Sequence, residues 1–416
     1  MFLLQSRSIK KIKNLKGKRV LLRADYNVPI SEAGEVEETF RVDMSLPTIA
    51  YLTSRGAKVI IISHIGSDGE PSLEPVVRYL NKTIDAIFFP DWDNLFHIEN
   101  LKNGQVAVLE NLRRNDGEMT NELSFAKKLA SLADIYVNDA FSVSHREQAS
   151  ILGVAKLLPS YFGLLFETEY ENLSKAFKPA HPFLFILGGL KFKTKIPLLK
   201  KFLGLADKIF VGGALANSFY KKLGYEIGRS MVDSDQAGMM EFLKSKKFNL
   251  PLDVVVDPVR GRPAFGTATA ALGRLASNGV NHNGEAQVRQ PEQIKPSDII
   301  SDVGPDTVDS LTTDIKTAKF ILWNGPLGNC EQGYNKATLN IARAIAESRA
   351  FSIVGGGDTV AAIASLPKFS EGKLRQASLD LDKKFGFVST AGGAMLDFLA
   401  TGTLPGIEAI RKSRKR

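Results

Sequence analysis

The stretch FSIVGGGDTVAAI, residues 351–363, sets three glycines before Asp358 and Thr359 and then an apolar helical pattern. A glycine corner entering a helix exposes backbone N–H groups and the positive end of the helix dipole, so Gly356, Gly357 and Thr359 could bind a phosphate there. Asp358 reads as a helix N-cap or as a ligand to a hard cation. GGLKFKTK, residues 188–195, places Lys191 and Lys195 four apart at a helix opening, so the two ammonium groups share a face. They are either a solvated pair or phosphate ligands. A second group of residues is richer in Arg, His and Asp. Asp25 and Asn27 stand in RADYN, His64 and Ser67 in SHIGS, Arg113 in ENLRR and Arg146 in NDAFSVSHR, with Arg41 at the start of a helical pattern. Singly, each has a plain explanation. Asp and Asn satisfy turn backbone, a lone His packs in a core, and Arg41 lies on a surface. Four separate segments that each bring Arg or His to the end of an apolar run are better explained by an anion pocket, because the planar guanidinium bonds carboxylate and phosphate bidentately.

The elements that must position these residues alternate along the chain. The expected strands of the first half are KRVLLR, AKVIIISH, AIFFP, QVAVLEN and IYVNDAF. Those of the second half are FLFILGG, KIFVGG, DVVVD, KFILWNG, FSIVGG and FGFVST. Helical patterns such as NELSFAKKLASLA fall between them. Continuous Val/Ile/Leu strands alternating with helices predict parallel sheets covered on both faces. Eleven strands are many for one open sheet, so the expectation is two Rossmann-like α/β domains, with the boundary in YENLSKAFKPAHP, residues 170–182. In such sheets ligands sit outside the carboxyl ends of the strands, where both sets of residues fall. The fingerprint G-x-G-x-x-G is broken by Val360, and G-x-x-x-x-G-K-[ST] does not occur.

The chain has 416 residues, 44% hydrophobic and 24% charged, with one cysteine, Cys330. A length of this size suits two or three domains of roughly 150 residues each. A single thiol excludes an internal disulfide and suits a reducing compartment. MFLLQSRSIKKIK carries too short an apolar run for a secretory signal, and FLFIL reads as a buried strand, not part of a membrane span. These features predict a cytoplasmic protein with no membrane partner. The net charge of +9 is partly concentrated in KKIKNLKGKR and RKSRKR. It invites a nucleic-acid reading, but interleaved aromatic and basic stacking patches are missing, so no nucleic-acid partner is expected.

Taken in order, RADYNVP, SHIGS, LENLR, VNDAF with HR, ILGG with two lysines, ILWNGPLG, VGGGDT and VSTAGGA resemble the phosphoglycerate kinase family over roughly residues 8–410. The resemblance implies a cleft between two domains that close over substrates. It implies a phosphotransferase with a carboxyl group as acceptor, acting between 1,3-bisphosphoglycerate and ADP with Mg²⁺, as a monomer. It places the triose ligand on Asp25, Asn27, Arg41, His64, Arg113 and Arg146. Lys195, Gly356, Gly357 and Thr359 would meet nucleotide phosphate, Glu331 the ribose and Asp358 the metal. Lys191 and Arg41 would follow the transferring group. The expected domains are 1–172, joined by a returning helix at 403–416, and 183–400. The chain departs from the family pattern in several places. Ser67 replaces an arginine at the triose phosphate, and Ala391 replaces a glycine in STAGG. Ala214 lies on the expected adenine wall, Asn329 and Cys330 replace apolar residues, and Arg114 stands where an aromatic is usual. Arg114 is a candidate to supply the charge missing at Ser67. The segment 258–296 is longer than usual and reads as an extended loop or hairpin. These departures also allow an impaired paralogue that binds ligand and acts as a scaffold.

Overall fold

The computed structural model of the chain describes residues 6–190, 192–193, 195–233, 238–258, 286–364 and 384–413. In the first half six strands form: β1 (Arg19–Arg23), β2 (Lys58–Ile62), β3 (Ala86–Phe89), β4 (Val106–Leu109), β5 (Ile135–Asn138) and β6 (Ser160–Phe162). They pair in parallel in the order β3-β4-β2-β1-β5-β6. Every residue of β4 and β5 is buried, as expected for strands covered by helices on both faces. The edge strand β6 was not expected. Its three residues are too few to register as an apolar run.

The second half contributes β7 (Phe183–Leu187), β8 (Lys208–Val211), β9 (Phe248–Asn249), β10 (Val254–Pro258), β11 (Gln287–Arg289), β12 (Asp298–Val303), β13 (Phe320–Asn324), β14 (Phe351–Gly355) and β15 (Phe387–Val388). A second parallel sheet has the order β15-β14-β13-β7-β8-β9. One expected member is absent from it. DVVVD lies in β10, the centre of a separate antiparallel sheet of order β11-β10-β12. The reason is its one-sided burial. Val254 and Val256 pack with Ala216, Tyr220 and Ile227, whereas Val255 is only half-buried. Such alternation suits an antiparallel sheet with one face toward solvent. The ends of the long segment 258–296 run into β10 and β11, which pair with Val254 opposite Arg289 and Val256 opposite Gln287. Residues 259–285 lie outside the described residues.

The chain divides into two compact units, Met1–Ser174 with Gly393–Arg416, and Lys175–Gly392. The helix Gly393–Thr401, expected with the second domain, groups with the first unit. Phe398 packs edge-on to Phe141 at 5.4 Å and lies 5.2 Å from Tyr170. The following helix, Pro405–Lys412, is tied to the same unit. The Gly406 N–H donates to the Ser144 carbonyl at 2.8 Å, and Arg7 donates to the Ser413 carbonyl at 2.6 Å. No described helix is long and apolar enough to cross a membrane.

Candidate active site

In the first unit β4, β2, β1 and β5 are consecutive neighbours, so the segments leaving their carboxyl ends emerge side by side. Asp25 follows β1 and accepts from Arg41 at 3.0 Å; the Ser142 hydroxyl donates to the same carboxylate oxygen. Burial alone would raise the Asp25 pKa, but Arg41 and its other polar neighbours hold it below the ordinary carboxylate range. His64 follows β2 and is almost fully buried. Burial, reinforced by the charge of Arg23, pushes its pKa well down, so the imidazole is neutral. Arg23 Nη2 lies 3.3 Å from His64 Nδ1. A guanidinium can only donate, so Nδ1 accepts and the imidazole proton sits on Nε2. That Nε2 is buried without a hydrogen-bond partner, as are Arg113 Nε and Arg146 Nη1. Burial, then Arg146 and Arg23, depress the Arg113 pKa. Three guanidinium groups therefore repel one another across one small region. Among buried groups that are not mutually paired, such repulsion is the electrostatic signature of an anion site.

The loop after β2 is held from the side. Asn27 Oδ1 accepts the Gly66 N–H at 2.9 Å, and Arg113 donates to the Gly66 carbonyl. Asn111 Nδ2 donates to the carbonyls of Ile65 at 2.7 Å and Pro71 at 2.9 Å. Arg114 does not stand free to replace the arginine missing at Ser67. It pairs with Glu110 at 3.1 Å and donates to the carbonyls of Gly69 at 3.3 Å and Glu70 at 3.2 Å. Ser67 itself is exposed. Arg23 was absent from the expected ligands. An arginine directly after the apolar run VLL, at the carboxyl end of the strand Arg19–Arg23, was the available signal.

In the second unit the corners after β7 and β14 carry the chemistry. Gly188 packs backbone on backbone, where a Cβ would lie 2.1 Å from the Pro326 carbonyl oxygen. Lys195 is buried, and its ammonium donates to the Gly188 carbonyl. Burial lowers its pKa to about 8, and the charge of Asp358 opposes this. That coupling brings Lys195 and Asp358 into one neighbourhood. Gly356 adopts φ +99°, a left-handed conformation that glycine alone enters freely, and the helix Gly357–Ala364 begins directly after it. Asp358 and Gly357 are exposed, whereas Thr359 Oγ1 is buried without a partner. Glu331 is exposed in the turn Cys330–Gln332. Burial raises the Cys330 thiol to about 11, so it is no nucleophile at neutral pH. Ala391 is fully buried and is not at positive φ. The left-handed residue is Gly392, φ +52°, and Asn121 is the one non-glycine at positive φ among the described residues. Lys191 lies outside the described residues.

The profile of the phosphoglycerate kinase family matches residues 9–402. This chain belongs to the phosphoglycerate kinase family. It is 38% identical to the phosphoglycerate kinase of Dictyoglomus turgidum, over 96% of each chain. It is also 38% identical to that of Vibrio campbellii, over 97% of this chain and 98% of the other. Among solved structures, the phosphoglycerate kinase of Coxiella burnetii superposes with a TM-score of 0.75 at 34% identity, covering 97% of both chains. The enzyme of Pyrococcus horikoshii gives 0.76 at 28% identity, covering 97% of this chain and 98% of that one. The two six-stranded parallel sheets are thus the family's fold carried by a phosphoglycerate kinase sequence.

Proposed function

We propose that the chain catalyses reversible phosphoryl transfer between 1,3-bisphosphoglycerate and ADP, giving 3-phosphoglycerate and ATP. The observation that carries this reading is the trio of buried donors without partners, His64 Nε2, Arg113 Nε and Arg146 Nη1, among mutually repelling guanidinium groups. A small polyanion meets that demand. Asp25, kept ionised by Arg41, and Asn27 accept from the glycerate hydroxyl. His64, Arg113 and Arg146 donate to its carboxylate and phosphate, and Ser67 adds a neutral hydroxyl. On the nucleotide side, Lys195 leaves the Gly188 carbonyl for a phosphate oxygen. The backbone of Gly356 and Gly357 and the Thr359 hydroxyl receive the other oxygens, and Glu331 accepts from the ribose. Lys191 and Arg41 follow the transferring group. Phosphoryl transfer needs positioning and spread positive charge more than covalent chemistry, which suits a site whose one thiol is held protonated.

Among the described residues no cluster of three or more His, Cys, Asp or Glu could hold a metal alone. One exposed carboxylate, Asp358, at a phosphate corner fits Mg²⁺ that takes its remaining ligands from nucleotide phosphates and water. The ion would neutralise charge on those phosphates. We read the protein as cytoplasmic, which its single cysteine supports, and as a monomer, which sedimentation of the purified enzyme checks. The deciding assay supplies ADP and 1,3-bisphosphoglycerate with and without Mg²⁺ and follows ATP. Mg²⁺-dependent formation is expected. Ligand binding without ATP formation would return the chain to a scaffold role.

A further inference from the structure

Behind the triose pocket lies a chain of buried polar groups that no ligand contact explains. The Glu118 carboxylate, fully buried, accepts twice from Ser150, from its N–H at 3.0 Å and from its hydroxyl at 2.6 Å. Because that hydroxyl proton is committed to Glu118, the Ser150 oxygen is free to accept, and Arg23 Nε donates to it at 3.0 Å. Arg23 in turn donates to the Ala24 carbonyl and, across 3.3 Å, to His64 Nδ1. Ser150 is fixed from a further side, where the Tyr136 hydroxyl donates to its carbonyl at 2.7 Å. It also sits in the π-helical turn Ala149–Gly153, a geometry rare in proteins and frequent at functional sites.

We propose that Glu118 and Ser150 are positioning residues for the triose site: through Arg23 they hold His64 in the tautomer whose Nε2–H is offered to the ligand. The proposal rests on the reading of this pocket as the 3-phosphoglycerate site. Each link is directional. A carboxylate can only accept, which fixes the serine proton; the serine then can only accept from Arg23; the guanidinium can only donate, which leaves Nδ1 no proton. Burial penalises the Arg23 charge, and Glu118 and Asp25 offset that penalty. His64 faces Arg23, Asp25, Arg113 and Arg146. Of these, only Arg23 has a hydrogen bond to the imidazole, at Nδ1.

The test is Ser150→Ala, with Glu118→Gln as a second variant that keeps the volume and removes the charge. In ligand-free wild-type protein, ¹⁵N NMR of His64 should show the Nε2–H tautomer. Ser150→Ala should give a mixture of tautomers. It should also raise the KM for 3-phosphoglycerate about tenfold, the scale of losing one buried charge-assisted contact, with the KM for ATP within about twofold. Should Ser150→Ala not fold, Glu118→Gln decides by the same two readings. A folded variant with an unchanged tautomer and unchanged KM overturns the relay. The tautomer reading needs no substrate. An inactive wild type in the Nε2–H form whose Ser150→Ala variant still gives mixed tautomers would therefore sink the enzymatic reading and leave the relay standing.

Discussion

At the residue scale, Asp358 separates helix stabilisation from catalysis. It lies in the first turn of the helix Gly357–Ala364 and not at the expected N-cap. Losing a first-turn charge costs about 0.3–1 kcal/mol, so Asp358→Asn should melt close to the wild-type temperature. If the carboxylate holds Mg²⁺, activity should fall by about a hundredfold or more, a few kcal/mol of lost stabilisation. Full activity of the Asn variant would leave the residue only a charge in the first turn of the helix. Lys195 yields a pH prediction. Its pKa is pulled down to about 8, so above that value the ligand-free ammonium loses its proton, and bound phosphate should draw one back. ADP affinity should weaken as pH rises through 8. Calorimetry at about pH 8.5, in two buffers of different ionisation heat, should detect proton uptake. No uptake would mean that Lys195 does not meet phosphate. Arg114 was a candidate partner for the arginine missing at Ser67, but its nitrogens clamp Glu110 and the carbonyls of Gly69 and Glu70. The charge at Ser67 is therefore not replaced from there. Ser67→Arg should lower the KM for 3-phosphoglycerate by about tenfold, one added charge-assisted contact. An unchanged KM would place residue 67 away from the triose phosphate.

At the element scale, the corner between β14 and the helix Gly357–Ala364 distinguishes its glycines. Gly356 is left-handed at φ +99°, and an added Cβ would lie 3.3 Å from the Gly325 nitrogen. Gly356→Ala should cost about 1–2 kcal/mol from conformation alone and shift the corner that receives phosphate. Gly357 has nothing within 4 Å of an added Cβ and opens the helix, so Gly357→Ala should be neutral or stabilising by up to about 1 kcal/mol. If phosphate sits on this backbone, both variants should raise the KM for ADP although only Gly356→Ala lowers the melting temperature. A Gly357→Ala enzyme with unchanged KM would show that the approach of phosphate does not need that bare backbone. The same scale exposes the limit of pattern reading. DVVVD and FSIVGG look alike as apolar runs, but one joins an antiparallel sheet and the other a parallel one. The one-sided burial of Val254 and Val256, with Val255 half-buried, marks the difference only once the strands are packed.

At the scale of the whole molecule, each unit encloses a buried carboxylate of raised pKa. Burial lifts Asp139 in the first and Asp302 in the second to about 7, against opposing hydrogen bonds from the Thr48 hydroxyl and backbone N–H groups to Asp139 and from backbone N–H groups to Asp302. Between the ordinary carboxylate value and about 7 the folded chain keeps protons that the unfolded chain releases. These two groups make stability fall as pH rises across that window, while His64 and His145, held neutral by burial, act in the opposite direction below the ordinary histidine range. Urea unfolding at several pH values should therefore show wild type losing stability relative to the Asp139→Asn, Asp302→Asn double variant as pH rises towards 7. Parallel curves for the two proteins would contradict the assignment.

The motifs and most of the strands were legible in the sequence, because short-range rules write them. Apolar runs mark buried parallel strands, glycines mark corners, and Arg, His and Lys at the ends of those runs mark anion chemistry. The family was legible from the order of eight such motifs. Three things were not. β6 and β9 are too short to signal themselves, and β12 breaks its apolar residues with Ser301 and Asp302; the helix Gly393–Thr401 chooses its unit through Phe398 meeting Phe141 and Tyr170; and the Glu118–Ser150–Arg23–His64 chain joins residues scattered from 23 to 150. Sequence determines which groups stand at which strand end, since local propensity and burial pattern act between near neighbours. Only the tertiary structure decides which of them pair and which are left without a partner for a ligand, because hydrogen bonds between distant segments form when packing removes water from both.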